Sequence, residues 1–169
     1  MVDVFRSTHA LLKMLSIAPI VGRKRLQKTV HLLKVSGAPF PYAFQYHHFG
    51  PYAHTLQEAI DRLVEDGLVE ERTGPDGYEY RLTERGRSFL ARLEADGYRF
   101  PIDAELYRSL IAEPASFLEV LSTYAYFRQA GLAPEAAEAK VAALKPHLAA
   151  LLPAAAAAYA ARLEGRAGG

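Results

Sequence analysis

The cationic residues near position 25 are the side chains in this sequence best suited to bind a polyanion. They stand close together, with one glutamine among them: Arg23, Lys24, Arg25, Gln27 and Lys28. A helix is predicted to begin at Arg23, so a phosphate would also meet free backbone N–H groups at the helix N-terminus. The alternative is a solvated helix face above Leu26 and Val30, and the sequence favours neither interpretation over the other.

The charge along the chain is uneven, although the formal net charge is only +1. Residues 1–50 carry seven Lys or Arg and one acidic residue, for a net charge of +6. Residues 51–100 carry seven Arg and eleven acidic residues, for a net charge of −4. The basic first third therefore either binds a polyanion or pairs with the acidic middle of the chain.

A second group of candidate contacts lies on a helix predicted at residues 52–66 and on the β-hairpin after it. Gln57 and Arg62 could reach the edges of DNA bases. Arg72 and Arg81 could assist from the hairpin. The same helix carries three carboxylates that would repel the DNA backbone: Glu58, Asp61 and Glu65. This acidic face supports an alternative in which the helix docks a protein.

The sequence lacks the usual signatures of catalysis and of metal binding. It has no cysteine, so thiolate chemistry and disulfide frameworks are excluded. No G-x-S-x-G, phosphate-binding glycine loop or H-E-x-x-H motif occurs. Adjacent strand residues point to opposite faces, so His47 and His48 cannot easily share one ion. We expect no catalytic residue, no metal and no cofactor.

The apolar segments are too short for a membrane span. The longest covers residues 149–161, is mostly alanine and contains Pro153. Crossing a bilayer takes about 20 residues. The N-terminus also lacks the apolar centre of a signal peptide, because Pro19 interrupts the stretch after Met14. We therefore expect a cytoplasmic protein.

Hydrophobic periodicity predicts the elements that would position these side chains. In chain order they are a helix at 4–16, a helix at 23–35, a short strand at 42–49, a helix at 52–66, a hairpin at 68–82 and a helix at 83–95. This order is typical of a winged helix-turn-helix. The predicted fold is mainly α with a small β-hairpin wing and a C-terminal helical extension.

The C-terminal third predicts further helices at 113–130 and from Pro134 onward. The first of these is apolar on more than one face, which is typical of a helix buried on several sides or of a dimer contact. The predicted organisation is a winged-helix domain at 1–100, a helical extension at 101–164 and a mobile tail at 165–169. The extension either packs on the domain or mediates formation of a homodimer.

Four segments carry a resemblance to the YwgA-like family of bacterial and archaeal proteins. They are residues 21–28 (VGRKRLQK), 44–52 (FQYHHFGPY), 117–123 (FLEVLST) and 144–146 (LKP). The chain is also distantly similar to the Panacea-type antitoxin domain, which shares a K-L-Q-K…Y-G-P arrangement. The resemblance implies a winged-helix-like regulatory module and, through the Panacea domain, a toxin-neutralising role. It implies no catalytic residue.

These observations lead to two functional hypotheses. In the first, the protein is a transcriptional regulator that binds double-stranded DNA through the basic helix, with help from the wing. In the second, it is a protein-binding adaptor or antitoxin-like module that uses Glu58, Asp61 and Glu65. Fold analogy favours the first hypothesis, whereas the acidic helix and the nearly neutral net charge favour the second.

Overall fold

The computed structural model describes residues 4–165 and is mainly helical over that range, with two small antiparallel sheets. The first part of the chain contains α1 (Val4–Ile17), β1 (Ile20–Val21), α2 (Arg23–Val35), β2 (Gln45–His47), β3 (Gly50–Tyr52), α3 (His54–Glu65), β4 (Val69–Gly74), β5 (Gly77–Leu82) and α4 (Glu84–Ala95). The second part contains α5 (Ala104–Ile111), α6 (Ala115–Gln129), α7 (Pro134–Leu144), a 3₁₀ segment (Pro146–Leu151), α8 (Leu152–Ala158) and a π turn (Tyr159–Leu163). The prediction of a mainly helical chain is confirmed.

Local sequence signals account for several helix ends. Thr83 caps α4, because its side-chain oxygen accepts a hydrogen bond from the backbone N–H of Gly86 at 2.9 Å. Asp103 caps α5 in the same way and accepts from Leu106 at 3.0 Å. Helix α5 was not predicted from the sequence. Pro134 stands at the first position of α7, where its missing N–H removes no helical bond.

The larger sheet has the strand order β1-β5-β4 and is antiparallel throughout. The predicted hairpin forms β4 and β5, with Val69 opposite Leu82 and Gly74 opposite Gly77. Strand β1 has two residues and adds to the free edge of β5, with Ile20 opposite Tyr80. So short a strand gives no periodicity, and the sequence did not predict it.

The prediction of one strand at 42–49 is wrong in extent. Within this range only Gln45–His47 pairs as a strand, and its partner is a second strand, Gly50–Tyr52. The Tyr42 carbonyl accepts a hydrogen bond from the Lys34 ammonium and not from a neighbouring strand. Tyr42 instead lies buried in the core. The aromatic segment is therefore a small separate hairpin placed between α2 and α3.

Helix α6 packs against α2 and against β3, and it joins the C-terminal helices to the first half of the chain. Its central residues, from Leu118 to Ala125, are all buried, as expected for a helix that is apolar on several sides. The division at residues 100 and 101, and dimer formation through these helices, remain predictions. Of the predicted tail, residues 166–169 lie outside the described range.

In the part of the chain that the structure describes, none of the helices has the length and the apolar character needed to cross a membrane.

Candidate functional site

Helix α2 directs its cationic residues to different surroundings. The Arg23 guanidinium forms an ion pair with Glu71 at 2.7 Å, donates to the Tyr80 hydroxyl at 3.2 Å and lies 4.3 Å from the centre of the Tyr78 ring. Hydrogen bonds to Glu71 and Tyr80 raise the pKa of Arg23. Arg25 donates to the backbone carbonyl of Glu113 at 3.2 Å. These two residues therefore join α2 to the larger sheet and to the chain before α6.

Gln27 and Lys28, which the sequence predicts as nucleic-acid contacts, are buried in the structure. Gln27 is 1% exposed and makes two hydrogen bonds of 2.9 Å with the backbone of Ala53. Lys28 is 2% exposed and donates to the carbonyl of Pro51 at 2.6 Å. Lys28 holds β3 against α2, and Gln27 holds the residue between β3 and α3 against it. The two side chains are buried because α6 and β3 pack on this side of α2.

A cluster of three lysines surrounds one buried glutamate, and we call it the lysine cluster: Lys24, Lys28, Lys145 and Glu119. The Glu119 carboxylate accepts from Lys145 at 2.7 Å through one oxygen and pairs with Lys24 through the other. Lys145 also donates to the carbonyl of His48 at 3.1 Å. The cluster therefore ties together α2, the β2–β3 hairpin, α6 and the end of α7.

Burial and neighbouring charges shift the proton affinities in this cluster. Burial lowers the pKa of Lys28 to about 8, with Lys24 and Lys145 adding to the shift and Glu119 opposing it. Burial alone would raise the pKa of Glu119, but the hydrogen bonds and charges of Lys145 and Lys24 outweigh burial and hold it below its ordinary value. By side-chain type, the cluster combines three cationic groups with one carboxylate.

The β2–β3 hairpin lies directly against the lysine cluster at Gly50. This glycine has a φ of +100°, and a Cβ atom there would lie 2.8 Å from the Thr123 hydroxyl and 3.6 Å from the Lys28 ammonium. A side chain at position 50 would push the hairpin away from α6. The four segments that carry the family resemblance supply Lys24, Gly50, Glu119 and Lys145, so all four meet here.

A cleft of about 400 Å³ opens beside the lysine cluster, and we call it the cluster cleft. Lys24, Lys145 and Glu119 form one part of its lining, and Ser116 and aromatic and apolar side chains form the rest. Phe49 projects from the hairpin turn at the edge of the cleft and is 59% exposed. Its ring centre lies 5.1 Å from the Lys24 ammonium. The arrangement offers cations and aromatic surface to the same space.

The exposed face of α3 carries the predicted partner-binding residues Glu58, Asp61 and Glu65. Asp61 accepts a hydrogen bond from Gln57 at 3.0 Å, and Glu58 lies 2.7 Å from the His54 imidazole. Their spacing places them on one side of the helix. We call this surface the acidic face of α3.

The other predicted nucleic-acid contacts lie among carboxylates. On the hairpin, Arg72 pairs with Glu70 at 3.1 Å and Arg81 pairs with Glu79 at 2.7 Å. Arg62 is exposed on α3 beside the acidic face. The structure therefore does not gather the predicted cations of α2, α3 and the hairpin into one surface rich in positive charge.

An apolar groove of about 470 Å³ runs beside the acidic face, between α1 and α3, and we call it the α1–α3 groove. Its floor includes Leu11, Leu63 and Phe89, and Val4 stands at its edge with 57% of its surface exposed. Glu58, Arg62 and Asp66 also line the groove, so two carboxylates and one guanidinium stand along it.

The histidines on α2, on the β2–β3 hairpin and on α3 do not converge. His31 is buried, shares a hydrogen bond of 2.7 Å with the Ser122 hydroxyl, and has its pKa lowered by burial to about 3. His47 and His48 are exposed on the hairpin, and His54 lies on α3. Among the described residues, no group of three or more potential ligands is positioned to hold a metal ion.

Two residues of the lysine cluster, Glu119 and Lys145, were missed as candidates. A signal for Glu119 was present, because it is a single carboxylate in a helix that is apolar on more than one face. A carboxylate in such a helix requires a cationic partner. The sequence around Glu119 does not identify this partner, because Lys145 lies 26 residues away along the chain.

The lowered pKa of the buried Lys28 should make the free energy of unfolding depend on pH. Its pKa is about 8 in the folded protein, against an ordinary lysine value of 10.5, so the unfolded chain binds more protons between these values. The wild type should therefore gain stability relative to Lys28→Met as pH rises from 8 to 10.5, by up to about 3 kcal/mol. Urea unfolding of both proteins at about pH 7 and about pH 10 measures this change. An unchanged difference would show that Lys28 titrates normally.

This mainly helical protein, with its buried lysine cluster, has a curated relative. It is 34% identical over 130 residues to the uncharacterized protein YwgA of Bacillus subtilis strain 168, and the match covers 75% of each chain. The chain therefore belongs to the YwgA-like family. No family model matches the sequence. The distant similarity to Panacea-type antitoxin domains remains a prediction.

Proposed function

We propose that this protein is a winged-helix module that binds a protein partner, and that the partner presents a basic amphipathic helix. The binding surface consists of the acidic face of α3 and the α1–α3 groove. The main support for this proposal is that an open apolar groove beside α3 adjoins a row of exposed carboxylates on α3. An amphipathic helix with basic flanks complements both features at once.

The topology supports the winged-helix part of the proposal. The order α1, β1, α2, α3, β4, β5 is that of a winged helix-turn-helix with one insertion, the β2–β3 hairpin. The antiparallel strand order β1-β5-β4 agrees with the same architecture, in which the third helix and the hairpin are the usual contact elements. Here α3 and the hairpin are rich in carboxylates.

The charge of α3 and its surroundings favours a cationic partner. Glu58, Asp61, Glu65 and Asp66 are exposed at this surface, against the one guanidinium of Arg62 on the same helix. Complementary charge steers encounter and rejects partners of like charge. A polyanion would meet repulsion at this helix, whereas lysines or arginines flanking an apolar stripe would be attracted to it.

Nucleic-acid binding has less support. Contact with phosphates requires free lysines or arginines that can replace the counterions bound to DNA. Arg23, Arg72 and Arg81 each pair with a carboxylate of this chain. Lys28 is buried. DNA would have to displace these internal partners before it gained comparable contacts.

The proposal is tested by selecting helical peptides from a displayed random library against the purified protein. We expect the enriched peptides to combine an apolar stripe at helical spacing with lysines or arginines on its flanks. Asp61→Arg should weaken their binding about tenfold, since it reverses a charge at the rim. Glu135→Arg, at an exposed position on α7, is the matched control and should leave binding unchanged.

Two outcomes would contradict the proposal. One is enrichment of peptides without basic residues, or of peptides that bind Asp61→Arg as well as they bind the wild type. The other is tight binding of random duplex DNA at physiological salt, with affinity falling steeply as salt rises, because that dependence marks phosphate neutralisation. We expect no measurable change in the fluorescence anisotropy of such DNA.

A further inference from the structure

The lysine cluster contains more positive charge than its structural role requires. One carboxylate, Glu119, faces three ammonium groups, and Lys28 and Lys145 are each 2% exposed. Buried charges are costly unless they are paired. Formally, three ammonium groups stand against one carboxylate, and two of the lysines, Lys24 and Lys145, line the cluster cleft together with Glu119. An anion in the cleft would compensate the excess positive charge.

The ammonium groups also have hydrogen-bond capacity left. Each lysine ammonium can donate three hydrogen bonds. Within residues 4–165, Lys145 donates to Glu119 and to the His48 carbonyl, and Lys24 pairs with Glu119. Both lysines line the cleft, so their remaining N–H groups can point into it. Oxygen atoms of a bound anion would accept these bonds.

The remaining lining is suited to a flat ring. Tyr46, Phe49, His48 and His147 all border the cleft, and so do Leu144 and Leu148. Planar aromatic groups stack on such side chains. The volume of about 400 Å³ lies within the range of pockets that hold small organic ligands.

We propose that the cluster cleft binds a small phosphorylated molecule that carries a planar ring, of about the size of a mononucleotide. The phosphate lies against Lys24 and Lys145, and the ring lies between the hairpin aromatics and the 3₁₀ segment after α7. A phosphate dianion matches the net charge of the cluster, and lysine is a common phosphate ligand. The cleft shares no lining residue with the α1–α3 groove, so this proposal does not depend on the proposed function.

Titration calorimetry of the full chain with three probes tests the site. The probes are adenosine monophosphate, inorganic phosphate and adenosine. We expect the nucleotide to bind at least tenfold more tightly than inorganic phosphate, and adenosine to bind too weakly to measure. Equal affinity for the nucleotide and for phosphate would overturn the assignment of the ring site. Binding of adenosine as tight as that of the nucleotide, or no binding of either phosphate compound, would overturn the anion site.

Two single-residue variants test whether the nucleotide binds in the cluster cleft. Lys24→Met should weaken nucleotide binding about tenfold, as expected for the loss of one charged hydrogen bond. Lys13→Met is the matched control, because Lys13 is equally exposed at 36% and also pairs with a glutamate, Glu94. It should leave the affinity unchanged. Equal affinities of Lys24→Met and the wild type would overturn the proposal.

A second variant separates a ligand site from a purely structural cluster. Glu119→Gln removes the carboxylate that competes with the anion for Lys24 and Lys145. Nucleotide binding should then become tighter, and the rise in Tm caused by the nucleotide should be larger than in the wild type. A purely structural cluster would show lower Tm with no gain in affinity, and that result would overturn the proposal. If Glu119→Gln does not fold, the affinities of Lys24→Met and Lys13→Met for the nucleotide determine whether the cluster is a ligand site.

Discussion

Replacing Glu119 with alanine should destabilise the protein by about 3–5 kcal/mol, the range measured when one partner of a buried ion pair is removed. Glu119 is 3% exposed and Lys145 is 2% exposed, so the variant leaves a lysine charge without its carboxylate inside the protein. It also frees Lys24 and so loosens the contact between α2 and α6. Urea unfolding at about pH 7 measures the loss as a lower transition midpoint.

Glu70→Ala is the control for this prediction. Glu70 pairs with Arg72, but both side chains are largely exposed, so its removal should change stability by about 0.5 kcal/mol or less. The double variant Glu119→Leu with Lys145→Met removes both charges and should be more stable than Glu119→Ala. A loss below about 1 kcal/mol for Glu119→Ala would contradict a buried ion pair at this position.

Gly86→Ala should also be strongly destabilising, by about 3 kcal/mol. A Cβ atom at position 86 would lie 2.1 Å from the carbonyl oxygen of Leu68, a backbone atom that accepts a hydrogen bond from Thr83 at 3.2 Å. Relief of the clash requires α4 to move away from the start of β4. The gain in helix propensity from glycine to alanine, about 1 kcal/mol, does not offset this movement.

Gly74→Ala is the control for the Gly86 variant. A Cβ atom at position 74 would have its nearest neighbour at 3.8 Å, the carbonyl oxygen of Gly77, which is an ordinary contact distance. Thermal unfolding should therefore show a much smaller change in Tm for Gly74→Ala than for Gly86→Ala. Equal Tm values for Gly86→Ala and the wild type would show that α4 does not approach Leu68 so closely.

The sequence predicted helices well where the local signals were strong. Helix α2 was predicted at its observed bounds, because its apolar stripe is regular and Gly22 and Gly37 flank it. Helix α7 was predicted from Pro134 for a similar reason. Strand β1 has two residues and pairs with β5, which lies far along the chain, so no local pattern could reveal it.

The burial and the hydrogen-bond partners of the basic residues on α2 could not be predicted from the local sequence pattern. Lys28 was expected at the surface because it lies opposite the apolar stripe of α2. In the structure α6 and the β2–β3 hairpin cover that side. Lys28 donates to the backbone carbonyl of Pro51. Because every residue has a backbone carbonyl, the amino-acid sequence does not reveal which one will accept this hydrogen bond. By contrast, the carboxylates of α3 were predicted to be exposed from the spacing within one helix, and they are.

The acidic face of α3 and the α1–α3 groove should together bind a basic amphipathic helix. The quantity to measure is the dissociation constant of one helical probe peptide, about four turns long, with leucines at helical spacing and arginines on both flanks. It is measured against the wild type and against the double variant Glu58→Arg and Asp61→Arg. We predict binding to the wild type, loss of binding to the double variant, and recovery when the peptide arginines are changed to glutamates. Equal binding of the basic peptide to both proteins would contradict the claim.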